Sequence, residues 1–151
     1  MKIDVKTVSR YLDLLEKGFV ITRLGGFSGN LRKEVTSKAK YHFLDNGIRN
    51  AVISQFNNLT DRNDTGTLFE NFVLMERRKK CACDSIYHNA YFWRTYQGQE
   101  LDLVEERDGK LIGIEIKWNY KKKPKKPKDW SKYKNAEFKV INSDNYLDFV
   151  L

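Results

Sequence analysis

The sequence predicts an α/β fold, a central β-sheet flanked by helices and preceded by a helix with a two-stranded ribbon. Three observations carry it. Leu68, Phe69, Phe72, Val73 and Met75 recur at helical spacing, and the pattern runs on toward Lys80. Residues 90–96, 100–107 and 111–118 then read as consecutive strands, the last two meeting at Asp108-Gly109. A short helix over 128–135 precedes a final strand at 138–142.

The N-terminal elements follow the same rules. Asp4 stands where a helix cap would, Val5, Val8, Leu12 and Leu15 keep helical spacing, and Gly18 can end the helix. Residues 19–24 are β-branched and aromatic and read as a strand, and residues 40–44 as its partner. Gly25-Gly26-Phe27-Ser28-Gly29-Asn30 between them reads as a loop. Helix, strand, basic loop and strand are the outline of the second half of a winged helix-turn-helix. A helix is expected over 48–56. Polar, turn-rich residues 57–64 set the boundary, giving a partial winged-helix-like region over 1–57 and a second domain over 65–151.

The 151 residues carry a net charge of +8 and are 40% apolar, enough for a real core. The excess of positive charge favours a polyanion such as nucleic acid. No apolar run approaches bilayer length, and Met1-Lys2-Ile3-Asp4 starts no signal peptide. A cytoplasmic protein without a membrane partner is expected. Cys81 and Cys83 form a lone C-x-C without the further ligands of a structural zinc site, so both read as reduced packing or surface residues.

The carboxylates carry the chemistry. Asp108-Gly109 predicts a two-residue type I′ hairpin. Arg107 then pairs with Lys110, Asp102 with Glu115 and Glu100 with Lys117. Opposed residues share a sheet face, which gathers Glu100, Asp102, Glu115 and Lys117. Leu101, Leu103, Ile112, Ile114 and Ile116 take the other face. Opposed carboxylates repel, and Lys117 or a hard divalent cation would compensate. The alternative is a simple Glu100–Lys117 ion pair with Asp102 and Glu115 facing water. Glu70 has its own alternative, since Thr67-x-x-Glu70 fits a capping box.

Glu70 in a helix, Asp102 on a strand and Glu115-Ile116-Lys117 on the next resemble the PD-(D/E)XK nuclease pattern. More specifically, Phe69-Glu70-Asn71-Phe72-Val73, Phe92-Trp93-Arg94-Thr95, Glu100-Leu101-Asp102-Leu103 and Ile114-Glu115-Ile116-Lys117 are similar to a domain of unknown function. That domain lies C-terminal to the ATPase module of a family of prokaryotic AAA-type ATPases. Thr7 through Leu15 and Lys40 through Gly47 resemble the same family. The resemblance implies a restriction-endonuclease-like fold with a mixed sheet. The 138–142 strand would return parallel to 111–118 through a right-handed crossover. No G-x-x-x-x-G-K-[ST] phosphate loop is present, so no ATP site is expected.

The resemblance implies Mg²⁺-dependent phosphodiester hydrolysis, with Mn²⁺ as a substitute. Asp102, Glu115 and the Ile116 carbonyl would hold the ion. Lys117 would position or deprotonate the attacking water, and Glu70 would bind a second ion or orient a water. Lys121, Lys122, Lys123, Lys125, Lys126 and Lys128 either contact a phosphate backbone or form a solvated loop. Arg94 is grouped with them. Tyr91, Trp93, Trp118 and Trp130 either stack on bases or fill the core. The expected partner is nucleic acid, DNA before RNA, with an ATPase or a second copy of the chain beside it. The competing reading is a catalytically silent nucleic-acid-binding or regulatory module.

Overall fold

The computed structural model describes residues 4–27 and 38–151. Among them are four α-helices and a six-stranded mixed sheet of order β2-β1-β3-β4-β5-β6. Helix α1 (Val5–Lys17) leads into β1 (Ile21–Gly26) and β2 (Lys40–Phe43), followed by α2 (Asn46–Val52) and α3 (Thr65–Cys83). Strands β3 (Asn89–Arg94), β4 (Glu100–Arg107) and β5 (Lys110–Ile116) come next, then β6 (Ala136–Ile141) and α4 (Tyr146–Val150).

Helix α1 has the expected limits, with Asp4 at its N-cap position and Gly18 at its C-cap. The strand after it begins two residues later than expected. Phe19 takes a positive φ of 55°, and the amides of Phe19 and Val20 donate back to Glu16 and Leu15, closing the helix end. Gly25 and Gly26, expected in a loop, instead pair in parallel with Tyr91 and Phe92 of β3. The ribbon of β1 and β2 is therefore the edge of the main sheet. Ser28, Gly29 and Asn30 lie outside the described residues.

The hairpin has the expected register, with Arg107 opposite Lys110 and Leu103 opposite Ile114. Asp108 and Gly109 have φ of 53° and 70°, the positive pair that a type I′ turn requires. Strict alternation then fails at the far end of β4. Tyr91 pairs with Val104 but Trp93 with Leu101, so β4 carries one extra residue, a bulge. Leu101 consequently packs with Val104, Leu111, Trp93 and Trp130, while Leu103, Ile114 and Ile116 pack with Phe69, Val73 and Leu74 of α3. The expectation that Leu101 shares a face with Leu103 is corrected by this bulge.

Strand β6 runs parallel to β5, Gly113 opposite Phe138. The helix expected over 128–135 is a single 3-10 turn, Asp129–Lys132. Trp130 in that turn is fully buried, and its indole N–H donates to the Glu137 carbonyl at 2.8 Å. Its ring lies on Gly113, where an added Cβ would come within 2.7 Å of the indole and 2.6 Å of Leu101. Glycine is required there so that the tryptophan can close that face. Helix α4 has no clear signal in its five residues. Asn145 Oδ1 accepts from the Asn142 amide and turns the chain, and Tyr146, Phe149 and Val150 then meet the α3 side of the core.

A candidate acidic site at the sheet edge of helix α3

Strands β2, β4 and β5 and helix α3 each bring charged side chains to one cluster. From β4, Asp102 is buried, and its Oδ2 accepts from the Ile116 amide at 2.8 Å. Asp102 is thus tied to β5 through its side chain, one residue beyond the Glu115 expected opposite it. From β5, Glu115 lies 2.9 Å from Lys117 Nζ. From α3, Glu70 Oε1 lies 3.8 Å from the Lys40 ammonium.

Lys40 is the residue that sequence reasoning missed. Its Nζ is 2.5 Å from Glu100 Oε1 and 3.8 Å from Asp102 Oδ1, and it also sits over the Phe92 ring at 5.5 Å. Asn71 holds its strand in place: the Asn71 carboxamide accepts from the Phe43 amide at 2.9 Å and donates to the Phe43 carbonyl at 2.8 Å. A further donation to Asn46 Oδ1 ties the start of α2 to the same residue. The Lys40-to-Gly47 stretch is noticeable in the sequence, but nothing local in it says that Lys40 reaches the acids.

Two simpler roles are displaced by this geometry. Helix α3 starts at Thr65 after Asp64, so Thr67 is not its cap and Glu70 does not close a capping box. Glu100 pairs with Lys40, and more loosely with Arg94 at 3.7 Å, rather than with Lys117.

The electrostatics show an excess of acid. Glu70, Glu100, Asp102 and Glu115 face Lys40 and Lys117, with the mostly exposed Arg94 at the rim beside Glu100: four carboxylates against two inner ammoniums. Burial, then the field of Asp102, pushes Glu70 up to about 7. Burial also raises Glu115, with Asp102 adding to it against the Lys117 hydrogen bond. Burial works against both ammoniums, yet the surrounding carboxylates outweigh it and hold Lys40 and Lys117 above the ordinary lysine value. Carboxylate oxygens in excess of ammoniums suit a hard divalent cation such as Mg²⁺ in kind, although no three of them gather within 4.8 Å of one another among the described residues.

The remaining expected residues are spread around this cluster. Arg94 is mostly exposed beside Glu100. Lys121, Lys122, Lys123, Lys125, Lys126 and Lys128 are exposed on the segment that leaves β5, and Lys126 Nζ reaches the Ala136 carbonyl at 3.1 Å. Trp93 and Trp130 are core residues, their ring centres 5.4 Å apart. Trp118 packs edge-on to Phe69 at 5.2 Å, and Tyr91 lies against Phe27 at 5.6 Å. Away from the cluster, Arg77 on α3 grips the buried Glu105 with two hydrogen bonds of 2.7 and 2.9 Å. No helix among the described residues is long and apolar enough to cross a membrane.

Residues 65–147 match the family described as Domain of unknown function (DUF4143), and residues 1–59 match Domain of unknown function (DUF8612). Lys40 lies in the first stretch of chain, and Glu70, Asp102, Glu115 and Lys117 in the second. Uncharacterized proteins of Mycobacterium tuberculosis and Mycobacterium bovis are each 33% identical over 113 residues, which is 74% of this chain and 25% of theirs. The chain spans about a quarter of the length of these curated relatives. No solved structure matches it.

Proposed function

This chain belongs to the DUF4143 family of domains of unknown function, and on that premise we propose that it is a Mg²⁺-dependent nuclease, hydrolysing phosphodiester bonds in DNA or RNA. The observation that carries the reading is the convergence of Glu70, Asp102, Glu115 and Lys117 from three elements on one cluster in which carboxylates outnumber ammoniums. The order of these residues is that of the PD-(D/E)XK pattern, and the mixed sheet backed by α3 is compatible with a restriction-endonuclease-like core. Helix α1 and the β1–β2 ribbon supply the parts of a half winged helix.

In this reading Asp102 and Glu115, with the Ile116 carbonyl, hold the ion. Bound there, Mg²⁺ would lower the pKa of a water and neutralise phosphate charge. The Ile116 amide orients Asp102 by donating to Oδ2. Lys117, held by Glu115, stabilises negative charge developing on the phosphate or positions the water. Glu70, whose pKa burial raises to about 7 before any ion is bound, would orient a water or bind a second ion at the edge of the site. Arg94 and the exposed lysines of residues 121–128 bind the backbone of the nucleic acid beside it. A cytoplasmic setting and an association with an AAA-type ATPase complete the proposal.

A second reading has its own observation. Lys40 already places one cation among three of the acids, as expected of a module that keeps the fold and binds nucleic acid without turnover. Incubating the purified chain with plasmid and single-stranded DNA, with Mg²⁺, Mn²⁺ or chelator, separates the two. Metal-dependent cleavage supports the nuclease. DNA binding without cleavage under any metal moves the assignment to the silent module.

A further inference from the structure

At the other end of α3, the chain assembles a second set of ligand atoms. Cys81 lies in the last turn of the helix. The Ile86 amide donates to the Cys81 carbonyl at 2.8 Å, and Ser85 takes a positive φ of 55°. The chain therefore doubles back and brings His88 over the helix end, just before β3. Strand β3 pairs there with β4, Ala90 opposite Glu105. One ligand atom each from Cys81, His88 and Glu105 lies within 4.8 Å of the other two.

We infer that Cys81, His88 and Glu105 form a zinc-binding site, separate from the acidic cluster and with a different metal preference. A thiolate and an imidazole with one carboxylate is a donor set for Zn²⁺ rather than Mg²⁺. Tetrahedral zinc with bonds of about 2.0–2.3 Å sets its ligand atoms roughly 3.3–3.8 Å apart, so the three need close by no more than about 1.5 Å on binding.

Outer partners already orient two of the three. Ile86 O lies 3.2 Å from His88 Nδ1, and a proton held on Nδ1 leaves Nε2 with its lone pair, the usual arrangement for a ligating histidine. Arg77, one helical turn before Cys81, fixes the Glu105 carboxylate through both oxygens. Each of those oxygens keeps a second lone pair. A cavity of about 600 Å³, lined by Cys81, His88, Ser85, Tyr87 and Arg107 among others, opens beside the group. It gives solvent a path to Cys81 and His88, with the buried Glu105 behind them. Binding releases the Cys81 thiol proton to solvent. The ion would fasten the end of α3 to β3 and β4.

The test uses the full chain stripped of metal, titrated with Zn²⁺ against a chromophoric chelator and, separately, with Co²⁺. One tight equivalent of Zn²⁺ is expected, with a sulfur-to-cobalt charge-transfer band in the near ultraviolet. His88→Gln should weaken Zn²⁺ by at least about 100-fold, the upper end of the effect of an outer partner alone. Cys81→Ser should abolish the band, with its fold verified by circular dichroism. Cys83→Ser and Glu115→Ala/Lys117→Ala should retain both signals. Absence of stoichiometric zinc, a band lost with Cys83 instead of Cys81, or binding that follows Glu115 and Lys117 would each overturn the assignment. None of these outcomes depends on whether the acidic cluster cleaves nucleic acid.

Discussion

The Lys40 ammonium lies 2.5 Å from the Glu100 carboxylate, joining β2 at the sheet edge to β4 at its centre. Glu70 and Asp102 each stand 3.8 Å from the same nitrogen. A lysine from the 1–59 stretch thus partly offsets the charge of an acidic cluster supplied by the 65–147 stretch.

Removing that charge leaves four carboxylates facing Lys117, with only the mostly exposed Arg94 beside Glu100. Lys40→Met should destabilise the metal-free protein by about 1–3 kcal/mol at low salt. Mg²⁺ should restore more stability to this variant than it adds to the wild type. Urea denaturation with and without Mg²⁺ measures both. A variant as stable as the wild type, and indifferent to Mg²⁺, would show that Lys40 does not balance the cluster.

Glu70 makes stability fall as pH rises. Its folded pKa is raised from 4.5 to about 7, so the protonated form is favoured by folding. That contribution is complete below the unfolded value near 4.5 and is lost as pH climbs through about 7. Glu70→Gln should flatten this limb and be more stable than wild type at pH 8 by on the order of 1–3 kcal/mol. The check is a series of denaturant midpoints from pH 5 to 8.

His42 acts on the acid side with the opposite sign. It is buried, its Nε2 has no hydrogen-bond partner among the described residues, and burial with the Lys40 charge pushes its pKa from 6.5 down to about 4. Folding favours the neutral ring. The stability it contributes is present above 6.5 and is lost as pH falls through 6.5 toward 4. A folded His42→Gln variant should lose stability less steeply across that window, and an NMR titration of His42 should find it neutral at pH 5.5.

Arg77 and Glu105 form a buried pair that also reaches the C-terminal helix, since Arg77 Nη1 donates to the Phe149 carbonyl at 3.0 Å. In the metal-free protein Arg77→Met leaves Glu105 without a counter-ion and should cost about 3–5 kcal/mol. Arg77→Met/Glu105→Leu should recover most of that loss. Thermal or urea unfolding of the single and double variants tests it, and additive losses would contradict a coupled pair.

The hairpin is legible in the sequence because Asp108-Gly109 specifies the turn and so the register. Glu70 is legible as an acid in an α3-like helix, but its contact with Lys40 is not. That contact depends on β1 pairing in parallel with β3, a long-range event with no local signature. The position of Leu101 is hidden for another reason: alternation assumes an unbroken ladder, and the bulge in β4 breaks it. Cys81, His88 and Glu105 are invisible as a group because they come from a helix end, a turn and a strand. Helix α4 is too short for its period to register against Asn142 through Asn145.

The most direct test of the nuclease assignment compares the wild-type chain with Glu115→Ala/Lys117→Ala, verified to be folded, on plasmid and single-stranded DNA with Mg²⁺ or Mn²⁺. The proposed function predicts cleavage by the wild type, suppressed by chelator and absent in the double variant. Cleavage that persists unchanged in the variant, or a wild type inert with either metal, would contradict it.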